Sequence, residues 1–165
     1  MEPNAKVQMD LLLEALQEAR ADLLKEADSL SPEQQEAVFL GIWSIKELLA
    51  HLAGWDVTNF EAVKDILAGR VPVFYDHYDH DWQSYNATLV ATYKRATVPE
   101  MLSLMQDSHS HLLEFLQSVP AEEFLKDFGL RTRGNKVTIQ RLMEAQLKDE
   151  LVHAQEIEDY FKKVK

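Results

Sequence analysis

Apolar side chains recur at intervals of three and four residues along four long stretches of this sequence. That spacing places them on one face of an α-helix, so we predict helices over residues 5–27, 44–68, 97–120 and 138–163. Glycine and proline, at five each, are too scarce for a turn-rich β fold. Amphipathic helices bury their apolar faces most simply against one another. We therefore expect an all-α fold, an antiparallel four-helix bundle, formed by a single domain over residues 1–165.

Local signals mark where helices begin. Ser31, Ser44 and Thr97 each precede a Glu or Gln by three residues, which is the pattern of a capping box. Between the second and third long helices we predict a loop over residues 70–79 and then an extra short helix that carries Trp82. In the first helix, Glu, Gln, Arg and Lys lie between the apolar positions.

The balance of charge is strongly acidic, with 28 acidic against 17 basic side chains and a formal net charge of -11. Because a nucleic-acid-binding protein needs a basic surface to displace counterions from phosphates, we expect no nucleic-acid partner. The acidic charge also argues against docking on an anionic membrane, and no apolar run reaches the ~20 residues of a membrane span. The chain contains no cysteine and begins without the features of a signal peptide. We therefore expect no membrane partner and a cytoplasmic protein.

The apolar face of the last helix is interrupted in its middle. Both ends of that face are apolar, but Gln146, Glu150 and His153 lie on it, and Asp149 lies at its border. Burying polar groups without partners costs several kcal/mol, on the order of 2–7 for each. A local rule broken in the centre of a predicted core is therefore where function is expected.

His51 is the predicted partner of this polar block. It lies at the edge of the apolar face of the second helix, at the height of the middle of the last helix. Asp149 and His153 are four residues apart and project from one face. Together the three side chains offer two imidazoles and one carboxylate for Zn, Ni, Mn or ferrous iron. Two alternatives remain open: a metal-free network of hydrogen bonds, and Glu150 in place of Asp149 as ligand.

Other residues allow a functional or a structural interpretation. Trp55 and Trp82 are either packing residues or the wall of a pocket for a small molecule. His111 either turns inward as a fourth polar partner or stays at the boundary of the third long helix. Arg131 and Arg133, on the loop before the last helix, either hold an anionic substrate or lie in solvent.

The segment from Trp43 to Trp55, WSIKELLAHLAGW, resembles the second-helix signature of the DinB/YfiT-like four-helix bundles, in particular their ClbS/DfsB-type branch. In that family one histidine on the second helix and two histidines four apart on the last helix bind a divalent metal. The resemblance therefore implies a metal site at His51 and His153, with Asp149 where the family usually has its other histidine. It also implies association as a homodimer.

Known members of the family include metal-dependent transferases and isomerases that use low-molecular-weight thiols, and proteins that protect against a genotoxic metabolite. The resemblance thus implies a thiol-dependent transferase or a hydrolase acting on a small electrophilic molecule, in a protective role. Two alternatives remain open. One is a metal-free bundle that binds or sequesters a small molecule, and the other is a structural or regulatory dimer without catalysis.

Overall fold

The computed structural model describes residues 4–78 and 82–162. Within them the chain is almost entirely helical, and one small hairpin precedes the last helix. The elements, in chain order, are α1 (Ala5–Asp28), α2 (Pro32–Glu36), α3 (Ile45–Leu67), α4 (Tyr75–Tyr78), α5 (Trp82–Tyr93), α6 (Val98–Ser118), α7 (Ala121–Leu125), β1 (Arg131–Thr132), β2 (Asn135–Lys136) and α8 (Ile139–Lys162).

The four long helices α1, α3, α6 and α8 form the bundle, as predicted. One apolar cluster joins the beginnings of α1 and α8 to the ends of α3 and α6. A second cluster joins the ends of α1 and α8 to the beginnings of α3 and α6. Helices α1 and α8 therefore run in one direction, and α3 and α6 run in the opposite direction. The predicted all-α four-helix bundle is confirmed.

The predicted capping boxes begin three helices. The Ser31 backbone amide donates to the Gln34 side chain at 2.8 Å, and the Ser44 amide donates to Glu47 Oε2 at 2.8 Å. At α6 the Thr97 amide likewise donates to a glutamate. Each box satisfies backbone donors that a helix start leaves without a partner.

Because α3 and α6 run in the same direction, the chain must return between them, and α5 makes most of that return. Helix α5 packs closely on α3 at Gly54, where an added Cβ atom would lie 2.8 Å from the Cβ of Leu89. Only a residue without a side chain permits this approach. The predicted extra helix is thus confirmed, and it covers one side of α3.

Three segments predicted as loops contain regular structure. Helix α4 lies inside the expected loop of residues 70–79, of which residue 79 lies outside the described part, and α7 follows α6 directly. The third is the β1–β2 hairpin, whose turn residues Arg133 and Gly134 have φ of 48° and 79°. Two positive φ values suit a two-residue hairpin turn, but Arg133 gives no sequence signal for one. Among the described residues, no helix is both long and apolar enough to cross a membrane.

Candidate functional site

The structure brings the three predicted ligand residues together between α3 and α8. His51 Nε2 lies 3.4 Å from Asp149 Oδ2, and His153 Nε2 lies 3.5 Å from Asp149 Oδ1. The two imidazole rings stand edge to face, with 5.4 Å between centroids. Both histidines are buried and Asp149 is half-buried. We call these three residues the histidine cluster.

Neighbouring side chains hold the imidazoles in place. His153 Nδ1 lies 2.6 Å from Glu156 Oε2, so an Nδ1 proton donated to that carboxylate leaves Nε2 facing Asp149 as an acceptor. The ring of Trp43 packs on His51, with 5.1 Å between centroids. Sequence analysis did not single out Glu156. Its position three residues after His153, on the same face of α8, is the signal that would have identified it.

Electrostatics keep the Asp149 carboxylate ionised. Partial burial by itself raises its pKa, but the nearby His51 and His153 outweigh that effect, and the pKa falls below its ordinary value. An ionised carboxylate beside two imidazole nitrogens is a donor set that divalent metals bind. The cluster is therefore ready to hold a cation without first losing a carboxylate proton.

The spacing of the donor atoms also suits a metal. Bonds of about 2.0–2.1 Å in a tetrahedral zinc site place neighbouring ligand atoms about 3.3–3.4 Å apart. His51 and His153 lie 3.4 Å and 3.5 Å from different oxygens of Asp149, and one donor atom from each of the three residues lies within 4.8 Å of the other two. His51, Asp149 and His153 would hold the ion, and three ligands leave coordination positions for another molecule. Whether metal binds there stays a prediction.

A second polar group lies beside the histidine cluster and is built on Arg20 of α1. The Arg20 guanidinium donates to Asp56 Oδ2 at 2.8 Å and to Asp56 Oδ1 at 3.0 Å. It also donates to both oxygens of Glu150, through Nε at 3.0 Å, and to the backbone oxygen of Met105 at 2.9 Å. Arg20 is 2% exposed, Asp56 1% and Glu150 0%. We call these three residues the buried ion network.

The buried ion network favours Asp149 over Glu150 as the predicted ligand, because Glu150 already has a partner. Asp56, His109 and Glu150 form a second group with metal-ligand spacing, but the Arg20 guanidinium already bridges its two carboxylates. The cation there is supplied by the protein. Burial alone raises the pKa of Asp56, but Arg20 and His109 lower it to about 2. Glu150 is therefore engaged in the core.

The remaining polar residue on the α8 face, Gln146, extends the same network. Its amide donates to Asp56 Oδ1 at 2.8 Å, and its carbonyl oxygen accepts from Asn59 at 2.7 Å. Ser108 of α6 donates to Asp56 Oδ2 at 2.6 Å. The polar block of α8 therefore divides in two. Gln146 and Glu150 face the buried ion network, whereas Asp149 and His153 face His51.

Of the two positions left open for His111, the structure shows the outer one, and the inward histidine of α6 is His109. His109 is 4% exposed, and its Nδ1 lies 3.6 Å from Asp56 Oδ1. His111 is exposed and packs on Phe60, with 4.6 Å between ring centroids. The α6 face turns His109 toward the Asp56 carboxylate, which gives a buried imidazole a charged neighbour.

A cavity of about 450 Å³ opens beside the histidine cluster, between α3, α8, α5 and the hairpin. Trp55 and Trp82 form part of its wall, with 5.4 Å between their ring centroids, which supports the pocket interpretation of both. Arg133 lines the cavity. Arg131 does not, and donates instead to Asp127 at 2.8 Å. A cavity of this volume suits a small organic molecule.

A family model described as the DinB superfamily matches residues 15–157, which is most of the chain. Among curated proteins, no match to this chain is found. The resemblance inferred from the Trp43–Trp55 segment is confirmed by this match and by the solved structures that share the fold, which include ClbS and DfsB.

Those structures are similar in fold at low sequence identity. The colibactin self-resistance protein ClbS, solved in complex with double-stranded DNA, matches with a TM-score of 0.74 at 15% identity, covering 93% of this chain and 95% of its own. DfsB, described as a sibling lethal factor precursor, gives a TM-score of 0.71 at 15% identity over 95% and 96%. A protein from Streptococcus pneumoniae gives a TM-score of 0.77 at 13% identity over 98% and 92%.

The sequence-based exclusion of a nucleic-acid partner was wrong, because ClbS, which shares this fold, has been solved bound to double-stranded DNA. Net charge is a sum over the whole chain, whereas a duplex contacts one local surface. The hairpin and the start of α8 carry Arg131, Arg133, Lys136 and Arg141 within eleven residues. An acidic total of -11 therefore does not exclude a locally basic surface.

Proposed function

This chain belongs to the DinB superfamily, and on that premise we propose that it is a divalent-metal-dependent enzyme acting on a small electrophilic molecule in a protective role. The reaction is a thiol-dependent transfer or a hydrolysis. One observation carries the proposal: His51, Asp149 and His153 converge, and two of them, His51 and Asp149, line a cavity of about 450 Å³. The self-resistance role named for ClbS supports the protective element.

The residues of the chain divide the work of such a site. A divalent metal, when bound, lowers the pKa of a coordinated water or thiol and so supplies a nucleophile at neutral pH. Glu156 holds His153 with its Nε2 toward Asp149, and Asp149 contributes negative charge. Trp55 and Trp82 supply an apolar wall that excludes water and holds the body of the substrate.

Metal content tests this proposal. We would purify the untagged protein without chelator, incubate it with Zn, Ni, Mn or ferrous salts, and measure bound metal by plasma mass spectrometry. The parent is expected to retain about one ion, and the His51→Ala/His153→Ala double variant none. His111→Ala removes an exposed histidine outside the cluster and is expected to retain metal like the parent. Equal metal content in the parent and the double variant would reject the assignment.

A metal-free binding or sequestering protein is the alternative that the cavity itself supports, because its aromatic wall needs no ion to hold a ligand. Thermal shift measurements separate the two functions. Stabilisation by a ligand in chelator-treated protein would favour binding, and turnover only in metal-loaded protein would favour the enzyme. A protein that responds to neither would favour the structural or regulatory dimer, and homodimer formation stays a prediction.

Binding of double-stranded DNA is a second candidate function, and one observation favours it. ClbS was solved with a duplex, and the exposed hairpin here carries Arg131, Arg133 and Lys136. Fluorescence anisotropy with a labelled duplex tests it at about 50 and 200 mM salt, because phosphate contacts weaken steeply over that range. Loss of binding in the Arg131→Gln/Lys136→Gln variant would support this function, and no binding by the parent at low salt would reject it.

A further inference from the structure

The two ends of the cavity differ in charge. At one end are His51 and Asp149 of the histidine cluster, and at the other are Arg133, Lys136 and Arg141. Arg141 and Asp149 both lie on α8, eight residues apart in the sequence. At a rise of 1.5 Å per residue, about 12 Å of helix separates them. The cavity is therefore long enough to hold different parts of one molecule at each end.

Arg141 is the notable group at the basic end. Its guanidinium forms no ion pair within residues 4–78 and 82–162, although this chain carries 28 acidic side chains. Arg131, on strand β1, donates to both oxygens of Asp127 at 2.8 and 3.0 Å. Lys136 lies 3.4 Å from the same carboxylate. Arg141 thus lines the cavity without an acidic partner among the described residues, whereas Arg131 is engaged outside the cavity.

The middle of the cavity is apolar and aromatic. Trp55 packs against Phe74 and Tyr85 as well as Trp82, with ring centroids 5.3–5.4 Å apart. Asn86 accepts a hydrogen bond from Trp55 Nε1 at 3.1 Å, which fixes the orientation of the indole ring. Such a wall favours a flat or apolar body between two polar ends.

We propose that the cavity takes an amphipathic anion, whose carboxylate, phosphate or sulfonate group binds Arg141 and the adjacent basic side chains while its apolar body packs on the tryptophans. This inference rests on the proposed function in one respect: the electrophilic end of the molecule would lie at the histidine cluster. A guanidinium suits an oxyanion because its N–H groups pair with two oxygens at once.

A matched pair of fluorescent dyes tests the inference. Anilinonaphthalene sulfonate carries the required anion, and N-phenylnaphthylamine is nearly the same molecule without it. We expect the parent to bind the sulfonate about tenfold more tightly, because hydrogen bonds to a charged group contribute about that factor. Arg141→Gln is expected to remove the preference and leave binding of the neutral dye unchanged. Arg131→Gln removes the same charge from outside the cavity and is expected to preserve the preference.

Several outcomes would overturn the inference. The first is equal affinity of the parent for both dyes, and the second is an equal loss of sulfonate affinity in the two variants. The third is displacement of the sulfonate dye by duplex DNA, which would mean that Arg141 binds phosphates of a duplex. Circular dichroism on each variant excludes unfolding as a cause. Metal content measured on the same samples separates the two proposals. If the parent binds metal but shows no preference for the sulfonate dye, only the proposed anion site is rejected. If it shows that preference but binds no metal, only the proposed metal-dependent enzyme is rejected.

Discussion

The buried ion network and the histidine cluster use consecutive residues of α8, Glu150 and Asp149, yet their polar atoms are satisfied in different ways. In the network, Arg20 supplies the cation, and its guanidinium donates to two carboxylates and a backbone oxygen. In the cluster, the carboxylate of Asp149 is half-buried beside a cavity, and its partners are the imidazoles of His51 and His153. We call the first group closed, because Arg20 pairs with both of its carboxylates. We call the second group open, because only histidines pair with Asp149 among the described residues.

This contrast shows that a polar residue in a predicted core is not by itself evidence of a binding site. A closed network joins α1, α3, α6 and α8 at one height, between the two apolar clusters. We infer that it holds the register of the helices, because a charge displaced by one turn would lose its partners. The histidine cluster contributes donor atoms that metals prefer, at a spacing that suits one.

The largest effect is expected from breaking the closed network. Arg20→Ala leaves the Asp56 and Glu150 carboxylates buried without a cation, and we expect it to lower the free energy of unfolding by about 3–5 kcal/mol. Urea denaturation measures this change. Arg70→Ala is the matched control, because Arg70 forms an exposed ion pair with Asp65 at 2.7 Å and should cost less than about 1 kcal/mol.

Replacing the whole network by apolar residues sharpens the same comparison. The Arg20→Met/Asp56→Leu/Glu150→Leu variant removes every buried charge of the network, and such replacements are often neutral or stabilising. If it unfolds as readily as Arg20→Ala, then lost packing, and not unpaired charge, explains the single variant. Metal retention by this variant would further separate the network from the histidine cluster.

Acid is expected to act on the closed network with a smaller effect. The pKa of Asp56 is lowered from 3.8 to about 2 in the folded protein. Since the folded pKa lies below the unfolded one, Asp56 contributes stability above about pH 4, and that contribution is lost as pH falls toward 2. The shift corresponds to about 2 kcal/mol. Urea denaturation at pH 5, 4, 3 and 2 should show the parent losing more stability than the apolar triple variant, and parallel curves would contradict this.

In the histidine cluster, the Glu156→Gln variant tests whether Glu156 orients His153. An amide accepts a hydrogen bond more weakly than a carboxylate, and loss of such a partner lowers metal affinity by about 10–100-fold. Competition with a chromogenic chelator measures the affinity. Stability of the metal-free protein should change by less than about 0.5 kcal/mol, because Glu156 is only half-buried. Unchanged metal affinity would remove Glu156 from the site.

The smallest effect is expected from Asp149→His, which replaces the carboxylate by an imidazole. We expect stronger binding of Zn or Ni, since imidazole is a favoured ligand of both, by about tenfold or less. The same chelator competition measures it. Weaker binding in this variant would mean that the negative charge of Asp149, more than its donor atom, holds the ion.

Much of the fold and part of the site were accessible from the sequence. Apolar spacing predicted the four long helices, and capping boxes at Ser31, Ser44 and Thr97 predicted three helix starts. The spacing of Asp149 and His153, with His51 on a facing helix, predicted the cluster. The hairpin was not predicted, because Arg133 adopts a positive φ that the arginine side chain does not favour.

The sequence by itself determined which residues lie on which face of each helix, because that depends only on a periodicity of 3.6 residues. Tertiary structure decided which polar residues share a partner, because that depends on how the helices cross. In the sequence, Arg20 is one of the charged and polar residues of the first helix that are usually exposed. Only the packing of α1 on α8 places it between Asp56 and Glu150. The same packing pairs Glu150 with Arg20 and places Asp149 beside His51.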